Sequence, residues 1–197
     1  MLDKGVPLED ARRYAIFGCV EPAISGKEWS MAANGGGFMG GSSLVNILQY
    51  VIHGNVNPMN KTQGKFPCKK LYEYESFEEL KAEFERQMKA YIEEGARAFH
   101  RAAFTFNAEW PCLSASVMTE GCLESGKDVT WGGAKYNGMG SMISAIATVC
   151  DSLMVIKKLC FDDKTVSTRE LYDAVQANWQ GYELLRQKIL NEITFYG

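Results

Sequence analysis

Cys19 and Glu21 stand two residues apart in FGCVEPAISG, residues 17–26, with Pro22 directly after the glutamate. A thiol can act as a nucleophile, and a carboxylate can move a proton. If residues 19–21 are extended, both side chains point the same way with Cα atoms about 6.5 Å apart, so one small molecule can touch both. Cys19 follows the apolar run YAIF, which places it at a strand end, where α/β folds build their sites. Pro22 then fixes the backbone and blocks further pairing. Each residue also has a plainer reading. A lone cysteine is often a small buried hydrophobe, and a glutamate is usually a solvated charge. A thiol-dependent hydrolase would need a histidine base near Cys19, and the chain has only His53 and His100 to supply one.

The 197 residues suffice for one domain with a real core, and the net charge of −3 gives no electrostatic footprint for nucleic acid. No apolar run approaches the ~20 residues of a membrane span. The N-terminus MLDKGVPLEDARR alternates in charge and is not a signal peptide. The cytoplasm is therefore the default compartment. The six cysteines form no C-x-x-C pair, and with two histidines no zinc-ligand spacing exists. They read as thiols, most of them buried.

These chemical residues need elements to hold them. PLEDARRYAIFG predicts a short helix running into a short strand that ends at Gly18. Residues 21–41 read as loop. Their dense glycines spell neither G-x-G-x-x-G nor a P-loop, so a phosphate cradle is not expected. Ser42 or Ser43 can cap a helix that carries Leu44, Ile47, Leu48, Val51 and Ile52 on one face and stops at Gly54. Ser76 and Glu79 form a capping box. The apolar spacing after them predicts a helix to about Asn107, roughly 45 Å long, with Gly95 loosening its middle. CLSASVM, residues 112–118, reads as a short buried strand or extended segment, and residues 119–140 as loop. Further helices are expected from Ser141 to about Phe161, from the Ser167/Glu170 capping box, and from Tyr182 to Ile193. Short strands between long helices argue α/β, but the strands are too few to close a barrel or build a full sheet. The expectation is a single partial domain over residues 1–197, a piece of something larger.

GCVEP resembles the active-site loop of glycyl radical enzymes, the pyruvate formate-lyase-like superfamily. GGAKYN, ATVCDSLMVIKKLCFDDKTVS and ANWQGYELLRQ are similar to later segments of that family, in the same order. The resemblance covers essentially the whole chain and is weakest between Trp29 and Gly41. It implies a ten-stranded α/β barrel of two five-stranded halves, with the cysteine on a finger loop at its centre. It implies a glycyl radical near the C-terminus of the full enzyme, installed by a separate S-adenosylmethionine and iron–sulfur activase. Cys19 would then be the thiyl site that abstracts hydrogen from a small-molecule substrate. Glu21 would be the acid/base that moves a proton as the substrate radical breaks a C–O, C–N or C–C bond. The radical must be enclosed, away from water and oxygen, and burial of the carboxylate would suit it to proton transfer near neutral pH.

The resemblance also narrows the branch. Pyruvate formate-lyase itself uses two adjacent cysteines, whereas Cys19 is flanked by Gly18 and Val20. That points to the single-cysteine dehydratases, lyases and decarboxylases. Dehydratases of the family continue with a His-Asp pair after the finger loop. GKEWSMAANGGGF has none, which argues against small-diol chemistry and leaves room for a larger or aromatic substrate. His53 and Glu124 are candidate substrate contacts. Their plainer readings are a surface histidine favoured by a helix C-terminus and a solvated loop glutamate. The family's Arg-Val-x-Gly radical motif does not occur in the sequence, and no first barrel half precedes the finger loop. The expectations that follow are a radical domain and barrel half supplied by another piece, no turnover by the chain alone, and exposed apolar faces that promote homo-oligomers. A non-catalytic scaffold that keeps the fold is the competing reading.

Overall fold

The structure is a computed structural model that describes residues 1–17, 21–30, 42–138 and 143–195; for Glu21 and a few other residues it describes the backbone alone. In chain order its elements are α1 (Leu8–Ala11), β1 (Tyr14–Phe17), β2 (Glu21–Ile24), β3 (Glu28–Ser30), β4 (Ser42–Ser43), α2 (Leu44–Ile52), α3 (Phe77–Glu109), α4 (Leu113–Val117), α5 (Cys122–Ser125), β5 (Tyr136–Gly138), β6 (Ile143–Ser144), α6 (Ile146–Val155), α7 (Thr168–Gln176) and α8 (Glu183–Glu192). The contacts divide the chain into two units, residues 1–41 with 95–142, and residues 42–94 with 143–197.

The first unit holds the antiparallel β1–β2 hairpin and the parallel pair β3–β5. Its small core is Cys122, Val129 and Ala134, with Trp29, Cys112 and Ala115 packed against it. The second unit holds the parallel pair β4–β6 and a larger core. Leu71, Leu80, Val51 and Leu159 are all fully buried there. The long helix α3 contributes its first part to the second unit and its last part, from Gly95, to the first.

Helices with a polar cap and an apolar stripe form where expected. Ser76 Oγ accepts the Glu79 amide at 3.2 Å, and Ser167 Oγ accepts the Glu170 amide at 3.0 Å. The reciprocal half of the first box is displaced by one residue, because Glu79 Oε2 accepts the Glu75 amide. Ser43 occupies the N-cap position of α2 but makes no side-chain cap bond.

Elsewhere the structure corrects the expectation. Residues 21–30 are two strands and a turn, and Pro22 lies inside β2 opposite Ile16. Among the described residues β2 pairs only with β1, so a residue without an N–H is tolerated on its free edge. CLSASVM is the helical turn α4, because Ser116 folds inward and its hydroxyl bonds the Cys112 carbonyl, the Asp128 carboxylate and the Val129 amide. Leu113 and Val117 are left exposed rather than buried. Residues 119–138 carry α5, a 3₁₀ turn at Val129–Trp131 and β5. The helix expected from Ser141 begins at Ile146, since Ile143 and Ser144 are drawn into β6, and its end continues as a π-helix over Ile156–Asp162.

Candidate active site

The hairpin register fixes where the chemical residues sit along the chain. Phe17 pairs with Glu21, Ile16 with Pro22, Ala15 with Ala23 and Tyr14 with Ile24. Glu21 is the first residue of β2, and residues 18–20 connect the two strands. Cys19 is the middle residue of that connection and lies outside the described residues, as does the expected strand end at Gly18.

Below this tip, the hairpin stands on a cluster of charges that the sequence reading missed. Asp10 of α1 is 1% exposed, and its carboxylate accepts Lys27 Nζ at 2.6 Å, Lys135 Nζ at 2.9 Å and the Tyr136 hydroxyl at 2.7 Å. Glu120 reaches both lysines, at 3.2 Å and 3.1 Å. Lys27 and the two other donors hold the Asp10 carboxyl far below the ordinary carboxylate range, and Asp10 in turn raises Lys27, Lys135 and Tyr136. Backbone bonds brace the same place: Glu120 N–H donates to the Gly26 carbonyl, Tyr136 N–H to that of Lys27, and Lys135 N–H to that of Glu120. The one signal in the sequence was GGAKYN, which supplies Lys135 and Tyr136.

His53 and Glu124 belong to different units. His53 caps the C-terminus of α2 and is buried rather than on the surface, at 4% exposure. The Gln176 side-chain amide donates to His53 Nδ1 at 3.0 Å, which leaves the ring proton on Nε2. Burial, with a smaller contribution from the Lys61 charge, lowers its pKa to about 4. His53 lines a cavity of about 390 Å³ in the second unit, with Gln49, Asp151, Leu171 and Ile189 among its neighbours. Glu124 lies on α5 rather than in a loop; it is exposed, and its carboxylate accepts the Gly121 amide at 2.9 Å.

Of the remaining cysteines, Cys122 and Cys160 are buried, Cys68 and Cys112 half-buried and Cys150 exposed. Burial pushes the Cys160 thiol up to about 11, so it is a packing residue, not a nucleophile. No group of metal-ligating side chains occurs among the described residues, and no described helix is long and apolar enough to cross a membrane.

Parallel strand pairs, an antiparallel hairpin and many helices fit a helix-rich part of an α/β barrel of glycyl radical enzyme type, as expected from the sequence. The B12-independent glycerol dehydratase of Clostridium butyricum superposes on the whole chain with a TM-score of 0.85 at 27% identity, over 24% of its own length. The sequence matches the family described as pyruvate formate lyase-like over residues 1–197. The chain therefore belongs to that family, within the glycyl radical enzyme superfamily. It is 34% identical to the (2S)-3-sulfopropanediol dehydratase of Klebsiella oxytoca, over 94% of this chain and 22% of that protein. It is 30% identical to the trans-4-hydroxy-L-proline dehydratase of Clostridioides difficile, over 100% of this chain and 24% of that protein. The chain thus spans about a quarter of the length of the relatives it matches.

Proposed function

We propose that this chain carries the hydrogen-abstracting hairpin of a glycyl radical dehydratase. Cys19 gives its thiol hydrogen atom to a glycyl radical held elsewhere in the whole protein and installed there by an S-adenosylmethionine and iron–sulfur activase. The Cys19 thiyl then takes a hydrogen atom from the substrate carbon next to the one that bears the leaving hydroxyl. Glu21 accepts the O–H or N–H proton at the abstracted carbon as the neighbouring C–O bond breaks, and passes it to the departing hydroxide, which leaves as water. The product radical recovers a hydrogen atom from Cys19 and becomes a carbonyl compound or an imine. The substrate class is a small polar diol, or a hydroxy acid whose hydroxyl neighbours a carbon that bears N–H.

The observation that carries this reading is the Phe17–Glu21 pairing, which leaves a three-residue connection with Cys19 at its middle and Glu21 at the first strand position after it. The dehydratase activities of the relatives support C–O cleavage over the other bonds that single-cysteine members break. They also favour a diol or hydroxy acid over the larger or aromatic substrate suggested by the missing His-Asp pair. The reading assigns no step to His53 or Glu124. Because the chain covers about a quarter of those relatives, turnover is expected of the whole protein and not of these residues alone.

The test uses the whole protein with its activase and three probes: (2S)-3-sulfopropanediol, trans-4-hydroxy-L-proline and glycerol. Turnover of one of them is expected. Cys19→Ser should abolish it while the glycyl radical signal in electron paramagnetic resonance persists, and Glu21→Gln should lower kcat by about 10²–10⁴-fold. Wild-type rates in Cys19→Ser would defeat the assignment and favour the scaffold reading.

A further inference from the structure

The Asp10 cluster has no part in the chemistry above, yet it sits at both ends of the hairpin that carries that chemistry. Asp10 lies on α1, directly before β1. Lys27 lies in the turn directly after β2. One carboxylate therefore joins the chain entering the hairpin to the chain leaving it, and both to the start of β5 through Lys135 and Tyr136. The two strands are only four residues each, too short to be rigid by themselves. Burial anchors them on one side only: Ala23 and Ile24 of β2 are buried, while Tyr14 and Ile16 of β1 are more than half exposed. The charged root is what ties the β1 side down.

The root is built to be held. Two lysines face two carboxylates, so the charges balance. Asp10 is buried, and three donors satisfy it, which is the condition for a buried charge to persist. If the carboxylate were neutral, Lys27 and Lys135 would share only Glu120, leaving one positive charge uncompensated beside the turn.

We infer that Asp10 is the positioning residue of the Cys19 hairpin, closing its root through Lys27 and fixing that root to β5 through Lys135 and Tyr136. This rests on the reading of Cys19 and Glu21 as the reactive pair, but its test needs no turnover. A failure of the dehydratase reading and a failure of the root are therefore seen separately.

The measurement is amide hydrogen exchange of peptides covering residues 14–24 in the whole protein, together with the rate at which iodoacetamide alkylates Cys19, read by peptide mass spectrometry. Asp10→Asn and Lys27→Met should speed exchange of the hairpin amides by at least tenfold and change Cys19 alkylation severalfold. Exchange over α2, α7 and α8, and alkylation of buried Cys160, should stay at wild-type rates. Lys27→Arg keeps the ion pair and should restore both readouts to near wild type, which a loss of general stability would not predict. Should Asp10→Asn fail to fold, Lys27→Met and Tyr136→Phe carry the test, the latter removing a single donor and giving a smaller, equally local effect. Unchanged hairpin exchange in folded variants overturns the inference. So does acceleration spread evenly over both units, or a Lys27→Arg variant no better than Lys27→Met.

Discussion

His53 shows how one buried side chain sets a pH response. Burial disfavours its charged form, and the Lys61 charge adds to that, so its pKa falls from 6.5 to about 4. Between those values the unfolded chain binds the proton and the folded chain does not. Stability is therefore complete above about 6.5 and falls as the pH drops toward 4. The loss is on the order of 1–2 kcal/mol after allowance for solvent screening. Urea denaturation of wild type and His53→Gln between pH 4.5 and 7.5 should show this slope in the first and a flatter line in the second, since glutamine can still accept the Gln176 amide without titrating. Parallel lines would mean that His53 is not the group responsible.

Elements with strong local chemistry were readable in advance, and those made by long-range pairing were not. The caps at Ser76 and Ser167 and the stripe Leu80, Phe84, Met88 announce α3 and α7 because a helix needs only its own neighbours. The strands β2 and β3 were hidden because Pro22 and the turn at Gly26 read as loop until β1 and β5 supply partners. The reactive pair was visible as residue types, but its support was not. Asp10 and Lys135 are 125 positions apart, and only the fold brings them together. The same holds for Gly133 in GGAKYN. A Cβ there would overlap the Lys127 carbonyl oxygen, and one on Gly121, whose φ is +101°, would press on the Gly133 carbonyl. Gly133→Ala should therefore displace the segment that delivers Lys135 and Tyr136 to Asp10. The expected cost is about 1–3 kcal/mol, measured by thermal unfolding, with faster exchange in the β1–β2 hairpin and little change in α7. A variant with wild-type stability would show that this segment yields without strain.

The two units should part company on acidification, because their shifted groups differ. The second unit carries His53, which loses its contribution between about 6.5 and 4. Among the described residues of the first unit the shifted groups are the carboxylates Asp10, Glu120 and Asp128, the lysines Lys27 and Lys135, Tyr136 and the Cys122 thiol. None of them changes charge between pH 5 and 7. A carboxylate held below its ordinary value contributes stability that is fully present above about 3.9 and is lost only as the pH falls through its folded value. A lysine held above its ordinary value contributes stability that is present below about 10.4 and is lost as the pH rises through its folded value. The Asp10 root is thus at full strength from about pH 4 to about pH 10. Amide exchange corrected for intrinsic rates should show α2 and α7 loosening between pH 7 and 5 while the hairpin and β5 hold. Below pH 4 the wild-type hairpin should follow, whereas in Asp10→Asn, already loosened at neutral pH, the further change with acid should be smaller. Simultaneous loosening of both units at pH 5 would mean that the whole chain opens as one, and that the charged root gives the hairpin no stability of its own.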